Sequence, residues 1–159
     1  MPTNDHNLPN DDDIEIQVFP RGMWHVIGAV LCMAVSLAIL LVLIALLISQ
    51  WFSVQVVLVI GLSLLALAVF SLVTPTFLLT RGGARWHDFL KYLNLYVVGM
   101  FAVAGVISLF VGNPNLFGTV ASGLFFSLVA CWLYRTAAHA ECVEYYRRIW
   151  EYRRQHMQG

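Results

Sequence analysis

The amino-acid sequence predicts an all-α membrane protein with four transmembrane helices in two helical hairpins, the fourth extended into a cytoplasmic amphipathic helix. Hydrophobic residues make up 60% of the 159 residues and charged residues only 11%, against about 25% charged in soluble domains. No Asp, Glu, Lys or Arg lies between Gly22 and Thr80 or between Tyr92 and Tyr134. Each charge-free stretch is long enough for two crossings of a bilayer core, at about 20 residues per crossing.

Residues 1–20 are predicted to form an acidic cytoplasmic tail, disordered or extended. Three consecutive aspartates occupy positions 11–13, and such a polar segment buries too little apolar surface to order itself. Residues 14–18 then alternate apolar and polar side chains with a period of two. This pattern fits an extended linker at the membrane surface or an edge strand that adds to a partner's sheet.

The first two spans are predicted at about residues 23–49 and 51–80. The first is apolar on every face, which a soluble core helix has no reason to be. It is also too long for the apolar region of a secretory signal peptide. Pro75 in the second span removes one backbone donor and predicts a kink, where neighbouring threonine hydroxyls can satisfy freed carbonyls.

The third and fourth spans are predicted at about residues 90–111 and 116–134, with a central loop at 81–88 before the third. The sequence Gly-Asn-Pro-Asn at 112–115 is a turn signal between them. No glycine or proline follows Gly123 until Gly159, so the fourth helix is expected to continue to about Gln155. His87 in the central loop is interpreted as a solvated side chain.

The distribution of basic residues predicts the topology. All nine lie at the N-terminus, in or beside the central loop, or in the C-terminal segment: Arg21, Arg81, Arg85, Lys91, Arg135, Arg147, Arg148, Arg153 and Arg154. By the positive-inside rule, both termini and the central loop are cytoplasmic, and the two short turns face outward. The expected location is a bacterial cytoplasmic (inner) membrane.

Small residues repeat every four positions in three of the spans. Such stripes allow close approach of helix backbones in lipid, where apolar burial alone does not drive association. They predict a compact bundle or a dimer face, and both uses remain open. The candidate packing residues are Gly28, Cys32 and Ser36 in the first span, Ala104 and Ser108 in the third, and Thr119, Gly123 and Ser127 in the fourth.

The spans carry no acid, Lys or Arg away from their ends, which disfavours an ion-coupled carrier. His25 is interpreted as a lone interfacial histidine, and the three cysteines as packing residues. We therefore expect no catalytic residue, no metal ligand and no cofactor. The formal net charge of zero gives no general attraction to nucleic acid.

The C-terminal helix, predicted at 135–159, carries an aromatic stripe edged by arginine. It is expected to lie along anionic headgroups, to dock on a protein partner or a second copy, or to fold back on the central loop. The candidate partner interface consists of Tyr145, Ile149, Trp150 and Tyr152. Glu144 with Arg148, and Arg147 with Glu151, are spaced for intrahelical ion pairs.

These features favour a non-catalytic accessory, assembly or scaffold subunit that engages membrane lipid and a protein partner or a second copy of itself. The four-span topology resembles that of several unrelated groups of small membrane proteins, including immunity proteins against pore-forming bacteriocins. That resemblance implies an alternative, an immunity-type protein that binds a toxin's helices in the membrane. A further alternative is a small oligomeric transporter or lipid flippase.

Overall fold

In a computed structural model, the described part of the chain, residues 22–81 and 83–156, is almost entirely α-helical. The acidic tail and the alternating pattern at 14–18 lie outside the described residues. The helices are α1 Met23–Ile48, α2 Val54–Thr80, α3 Ala84–Val111, α4 Pro114–Tyr134 and α5 Ala137–His156.

Helices α1 to α4 are each long and apolar enough to cross a membrane. The four predicted spanning helices are therefore present, and their length and composition support an integral membrane protein. At about 1.5 Å per residue, the 21 residues of α4 extend about 31 Å, close to the thickness of a bilayer core. The 28 residues of α3 extend about 42 Å, so this helix is longer than the core.

The four spanning helices form an up-and-down bundle in which sequence neighbours run antiparallel. Helix α4 packs against α1 and α3, and α2 packs against the same two helices from the other side. The end where α1 and α3 begin and α2 and α4 end is called the basic end here, because Arg81, Arg85, Lys91 and Arg135 lie there. The opposite end carries only short turns, at 49–53 and 112–113, and is called the short-turn end.

The core consists of two clusters along the bundle axis. The cluster nearer the basic end contains Ala29, Met33, Leu72, Leu90, Ala130 and Tyr134. The cluster nearer the short-turn end contains Val97, Phe101 and Val120. Most other large apolar side chains on the four helices are exposed, which suits helices surrounded by lipid tails.

Several of the small residues lie where helix backbones meet. The Ser36 hydroxyl donates to the Cys32 carbonyl at 2.9 Å and approaches the Gly123 carbonyl of α4 at 3.4 Å. A Cβ on Gly123 would overlap the Phe101 ring of α3, so this glycine allows the ring to pack directly on the α4 backbone. Ser108 and Ser127 are also buried, Cys32, Ala104 and Thr119 are partly buried, and Gly28 faces Leu133.

The predicted extension of the fourth helix is not confirmed. Helix α4 ends at Tyr134, and α5 begins at Ala137 as a separate helix. Thr136 lies between them, and its hydroxyl donates to the Leu133 carbonyl at 2.8 Å and accepts from the His139 N–H at 3.4 Å. A threonine in this position ends one helix and caps the next, and no glycine or proline is needed.

Candidate functional site at the basic end

Helix α5 lies against the basic end of the bundle and contacts all four spanning helices. Its approach to α1 is close at Gly22, where φ is 91° and a Cβ would overlap the Ala138 carbonyl. Glycine meets both demands, since it tolerates positive φ and has no side chain. His139 and Cys142, in the first half of α5, are buried, so this half is docked on the bundle.

The docked half of α5 completes an aromatic cluster of three side chains from three helices. The imidazole of His139 stacks on that of His87 in α3, with ring centroids 4.7 Å apart and planes 28° apart. Tyr134 at the end of α4 meets His139 edge-on at 5.2 Å and His87 at 6.4 Å. The Tyr134 hydroxyl points to the Met33 sulfur of α1 at 3.7 Å. The cluster therefore connects α5 to α1, α3 and α4.

The histidine rings at this end have few hydrogen-bond partners, and His139 is fully buried whereas His25 and His87 are partly buried. Both ring nitrogens of His139 and the Nδ1 atoms of His87 and His25 have no partner among the described residues. Burial, together with the nearby positive charges of His87, Lys91 and His25, which oppose another one, lowers the pKa of His139 to about 4, and burial is the largest cause. The His139 ring is therefore neutral at physiological pH.

The three histidines do not form a metal site in this arrangement. Among the described residues, no group of three or more His, Cys, Asp or Glu side chains is placed to hold a metal ion. Stacked rings direct their nitrogens past each other, whereas metal ligands converge on one point. What the cluster can do is respond to acid, since protonation would place a charge in a buried, partnerless ring.

Sequence analysis missed this cluster. His87 is not a solvated loop side chain, because α3 begins at Ala84 and the His87 ring is covered by His139. His25 is near enough to His139 to affect its charge, so it is not isolated either. The available signal was that all three histidines lie in boundary segments on the same predicted side of the membrane.

A cleft of about 220 Å³ opens beside the cluster, between α3 and α4. Its lining combines charged, polar and apolar groups: Asp88, Lys91, Tyr92, Asn94, Leu95, Cys131, Tyr134 and Arg135. Asn94 is 1% exposed, and its Nδ2 donates to the Ser127 carbonyl of α4 at 3.1 Å. Its Oδ1 is buried without a donor from the described residues.

The predicted partner residues lie in the part of α5 from residue 143 to 156, which is called its second half here. Tyr145, Ile149, Trp150 and Tyr152 are each partly buried, and none is fully buried. The predicted ion pairs of Glu144 with Arg148 and of Arg147 with Glu151 are confirmed, at 3.2 and 3.9 Å, and Arg147 also meets Glu144 at 2.8 Å. The structure leaves the role of this surface a prediction.

Comparison of the chain with models of known protein families, with curated protein sequences and with solved structures gave no match. Proposals about function therefore depend on the geometry and chemistry of the basic end and on the apolar spans.

Proposed function

We propose that the protein is a non-catalytic accessory or assembly subunit of a membrane complex, and that it binds its protein partner through the second half of α5. The observation that carries the proposal is the division of α5 into two parts. Its first half holds the buried side chains His139 and Cys142. From residue 143 to 154 no side chain of α5 is fully buried, although this part is rich in aromatic residues and arginine.

A docked helix is a suitable carrier for a binding surface. Its side chains are held in fixed relative positions, so a partner loses less conformational freedom on binding. Arg147 interacts with both Glu144 and Glu151, which favours a straight helix. The Arg153 guanidinium lies 5.4 Å from the centre of the Trp150 ring. Tyr, Trp and Arg are the residue types that most often dominate binding energy at protein interfaces.

The proposed orientation places the basic end and α5 in the cytoplasm. It is supported by the nine Lys and Arg residues, none of which lies in the two short turns. The short turns leave almost no protein mass on the opposite side. A soluble domain of a partner would therefore meet this protein at the basic end, in a bacterial inner membrane as the proposed location.

Affinity purification of the tagged protein from mild detergent tests the proposal. We expect a larger protein to co-purify in fixed ratio with the wild type. Tyr145→Ala combined with Trp150→Ala should abolish this recovery, because truncating a central aromatic residue commonly costs about 2 kcal/mol or more of binding energy. Arg153→Gln combined with Arg154→Gln should weaken recovery only slightly, because charges at the rim contribute less.

The reverse order of effects would refute partner docking. If the surface binds anionic lipid instead, the arginine substitutions should have the larger effect, since each basic residue near a charged membrane contributes about 1 kcal/mol. Added salt should then reduce binding in the same way as loss of the arginines. Recovery of the protein only as a complex with itself would identify the second copy as the partner. Reporter fusions after Gln50 and Gly83 check the orientation independently, with an external signal expected for the first only.

A further inference from the structure

The cleft between α3 and α4 brings together two cations and one carboxylate. Lys91 and Asp88 lie one turn apart on α3, and Arg135 directly follows α4. Within the described residues, none of these three side chains forms an ion pair. Ammonium and guanidinium groups are the usual ligands of phosphate, and a carboxylate accepts hydrogen bonds from an ammonium or hydroxyl group.

Asn94 links the two helices that form the cleft, and its amide oxygen is a hydrogen-bond acceptor without a donor from the described residues. Only Nδ2 of its amide can donate to the Ser127 carbonyl, so this bond determines which way the amide is oriented. The bond joins α3 to α4 beside the cleft and fixes their spacing. Oδ1 remains buried without a donor from the described residues. A buried amide oxygen normally receives a hydrogen bond from protein, water or ligand.

The lengths of the helices locate the cleft at the membrane surface. Helix α4 matches the bilayer core in length, so Arg135 lies at the edge of the hydrocarbon. Helix α3 is longer by about 11 Å, and its first turns, with Asp88 and Lys91, extend into the headgroup layer. Tyr92 and Leu95 line the cleft and are exposed. This depth favours a ligand supplied by the bilayer over a phosphate compound from solution.

We propose that this cleft binds the headgroup of a phospholipid that carries a phosphate and an ammonium group, as phosphatidylethanolamine does. Lys91 and Arg135 bind the phosphate, and Asp88 accepts from the ammonium. The exposed apolar residues Tyr92 and Leu95 contact the upper part of the acyl chains. A volume of about 220 Å³ is below the roughly 300 Å³ at which pockets for whole drug-sized ligands begin, and so suits a headgroup whose tails remain in the bilayer.

Native mass spectrometry of the purified full chain, titrated separately with phosphatidylethanolamine, phosphatidylglycerol and phosphatidylcholine, tests the proposal. We expect retention in that order. The first lipid offers both a phosphate and an ammonium donor, the second offers hydroxyl donors without a positive charge, and the headgroup of the third has no hydrogen-bond donor. Inorganic phosphate in the same titration should not displace the bound lipid.

Two sets of variants isolate the roles of the side chains. Lys91→Gln combined with Arg135→Gln should weaken retention roughly tenfold or more, because it removes both cations whose charge-assisted hydrogen bonds hold the phosphate. The matched control, Arg81→Gln combined with Arg85→Gln, removes the same charge from exposed residues of the basic end that do not line the cleft, and should leave retention unchanged. Asp88→Asn should remove the preference for phosphatidylethanolamine over phosphatidylglycerol without weakening binding of the latter. Helicity and melting temperature confirm that each variant is folded.

Three results would overturn the proposal. Equal retention of phosphatidylcholine and phosphatidylethanolamine would mean that the cleft does not recognise the headgroup. Equal losses in the cleft and control variants would mean that only total charge matters. Displacement of lipid by inorganic phosphate would assign the cleft to a soluble phosphate compound. None of these outcomes depends on whether the second half of α5 binds a partner.

Discussion

The two halves of the bundle differ in whether their buried polar groups are hydrogen-bonded. Towards the short-turn end, the hydroxyl groups of the buried serines Ser36 and Ser108 donate to carbonyls of their own helices. Near the basic end, buried atoms of His25, His87, Asn94 and His139 have no partner among the described residues. The buried serine hydroxyls of the first half are hydrogen-bonded, whereas the second half makes some hydrogen bonds but leaves these particular buried atoms unpaired among the described residues.

This difference has an energetic cost and a functional meaning. A buried donor or acceptor without a partner costs about 1–3 kcal/mol, so these atoms lower the stability of the basic end. Unsatisfied groups in a native structure are expected where a protein binds or responds to something. The basic end also holds α5 and the charged cleft, so the three candidate functional features coincide there.

The largest expected effect concerns the half of the bundle near the short-turn end, called the packed half here. Gly123→Leu places a side chain where the Phe101 ring now touches the α4 backbone. Overpacking of a well-filled core commonly costs 1–3 kcal/mol, and an aromatic ring against a backbone has little room to move. We expect a loss of about 3 kcal/mol in the free energy of unfolding, measured by thermal unfolding in detergent.

Gly99→Leu is the matched control, because a Cβ on Gly99 meets no atom within 4 Å. This variant should melt within a few degrees of the wild type. If both variants melt alike, Phe101 can move aside freely, and the packed half is less rigid than its geometry indicates.

The second expected effect concerns the half of the bundle near the basic end, called the basic half here. It is a weakening of α5 docking at acid pH. Well above pH 6.5 His139 is neutral whether or not α5 is docked, so its titration has no influence on docking. As pH falls below 6.5 the detached helix takes up a proton first, whereas the docked ring resists protonation until about pH 4. Docking should therefore weaken across this interval, by about 3 kcal/mol in full. Hydrogen exchange of α5 amides, corrected for the intrinsic effect of pH, measures it.

The His139→Leu variant distinguishes the effect of protonating His139 from the effect of its packing. The variant removes both partnerless ring nitrogens and keeps a side chain of similar size, so docking at neutral pH should be unchanged or stronger by about 1 kcal/mol. Its α5 amides should show no weakening between pH 6.5 and 4. Amides of α3 near Phe101 provide the internal control. A loss of α5 protection that persists in this variant would assign the acid response to His87 or His25.

The same contrast shows which features a sequence can predict. The four spans follow from long runs without charge, because the cost of charge in hydrocarbon leaves a strong local signal. The His87–His139 stack has no such signal, since it joins residues 52 positions apart through the position of α5. The sequence predicts that helix as a continuation of α4, because no glycine or proline, the usual residues that end a helix, lies between Gly123 and Gly159. Thr136 ends α4 through a hydrogen bond from its side chain. That bond depends on the rotamer that the threonine side chain adopts.

The smallest expected effect compares the caps at the two ends of α4. Asn113 caps its start at the short-turn end, where Oδ1 accepts from the N–H groups of Asn115 and Leu116 at 3.0 and 3.3 Å. Thr136 follows its end at the basic end and caps α5. Replacing either cap by alanine should cost about 1 kcal/mol.

The two variants should differ in where the loss appears, because Thr136 hydrogen-bonds the backbone of His139. In Thr136→Ala we expect α5 to detach at a higher pH than in the wild type, while Asn113→Ala lowers the melting temperature and leaves the pH at which α5 detaches unchanged. Hydrogen exchange across the pH series distinguishes the two. If both variants shift the α5 transition equally, the two halves of the bundle unfold as one cooperative unit, and the division between a packed half and an acid-sensitive half does not extend to their stability.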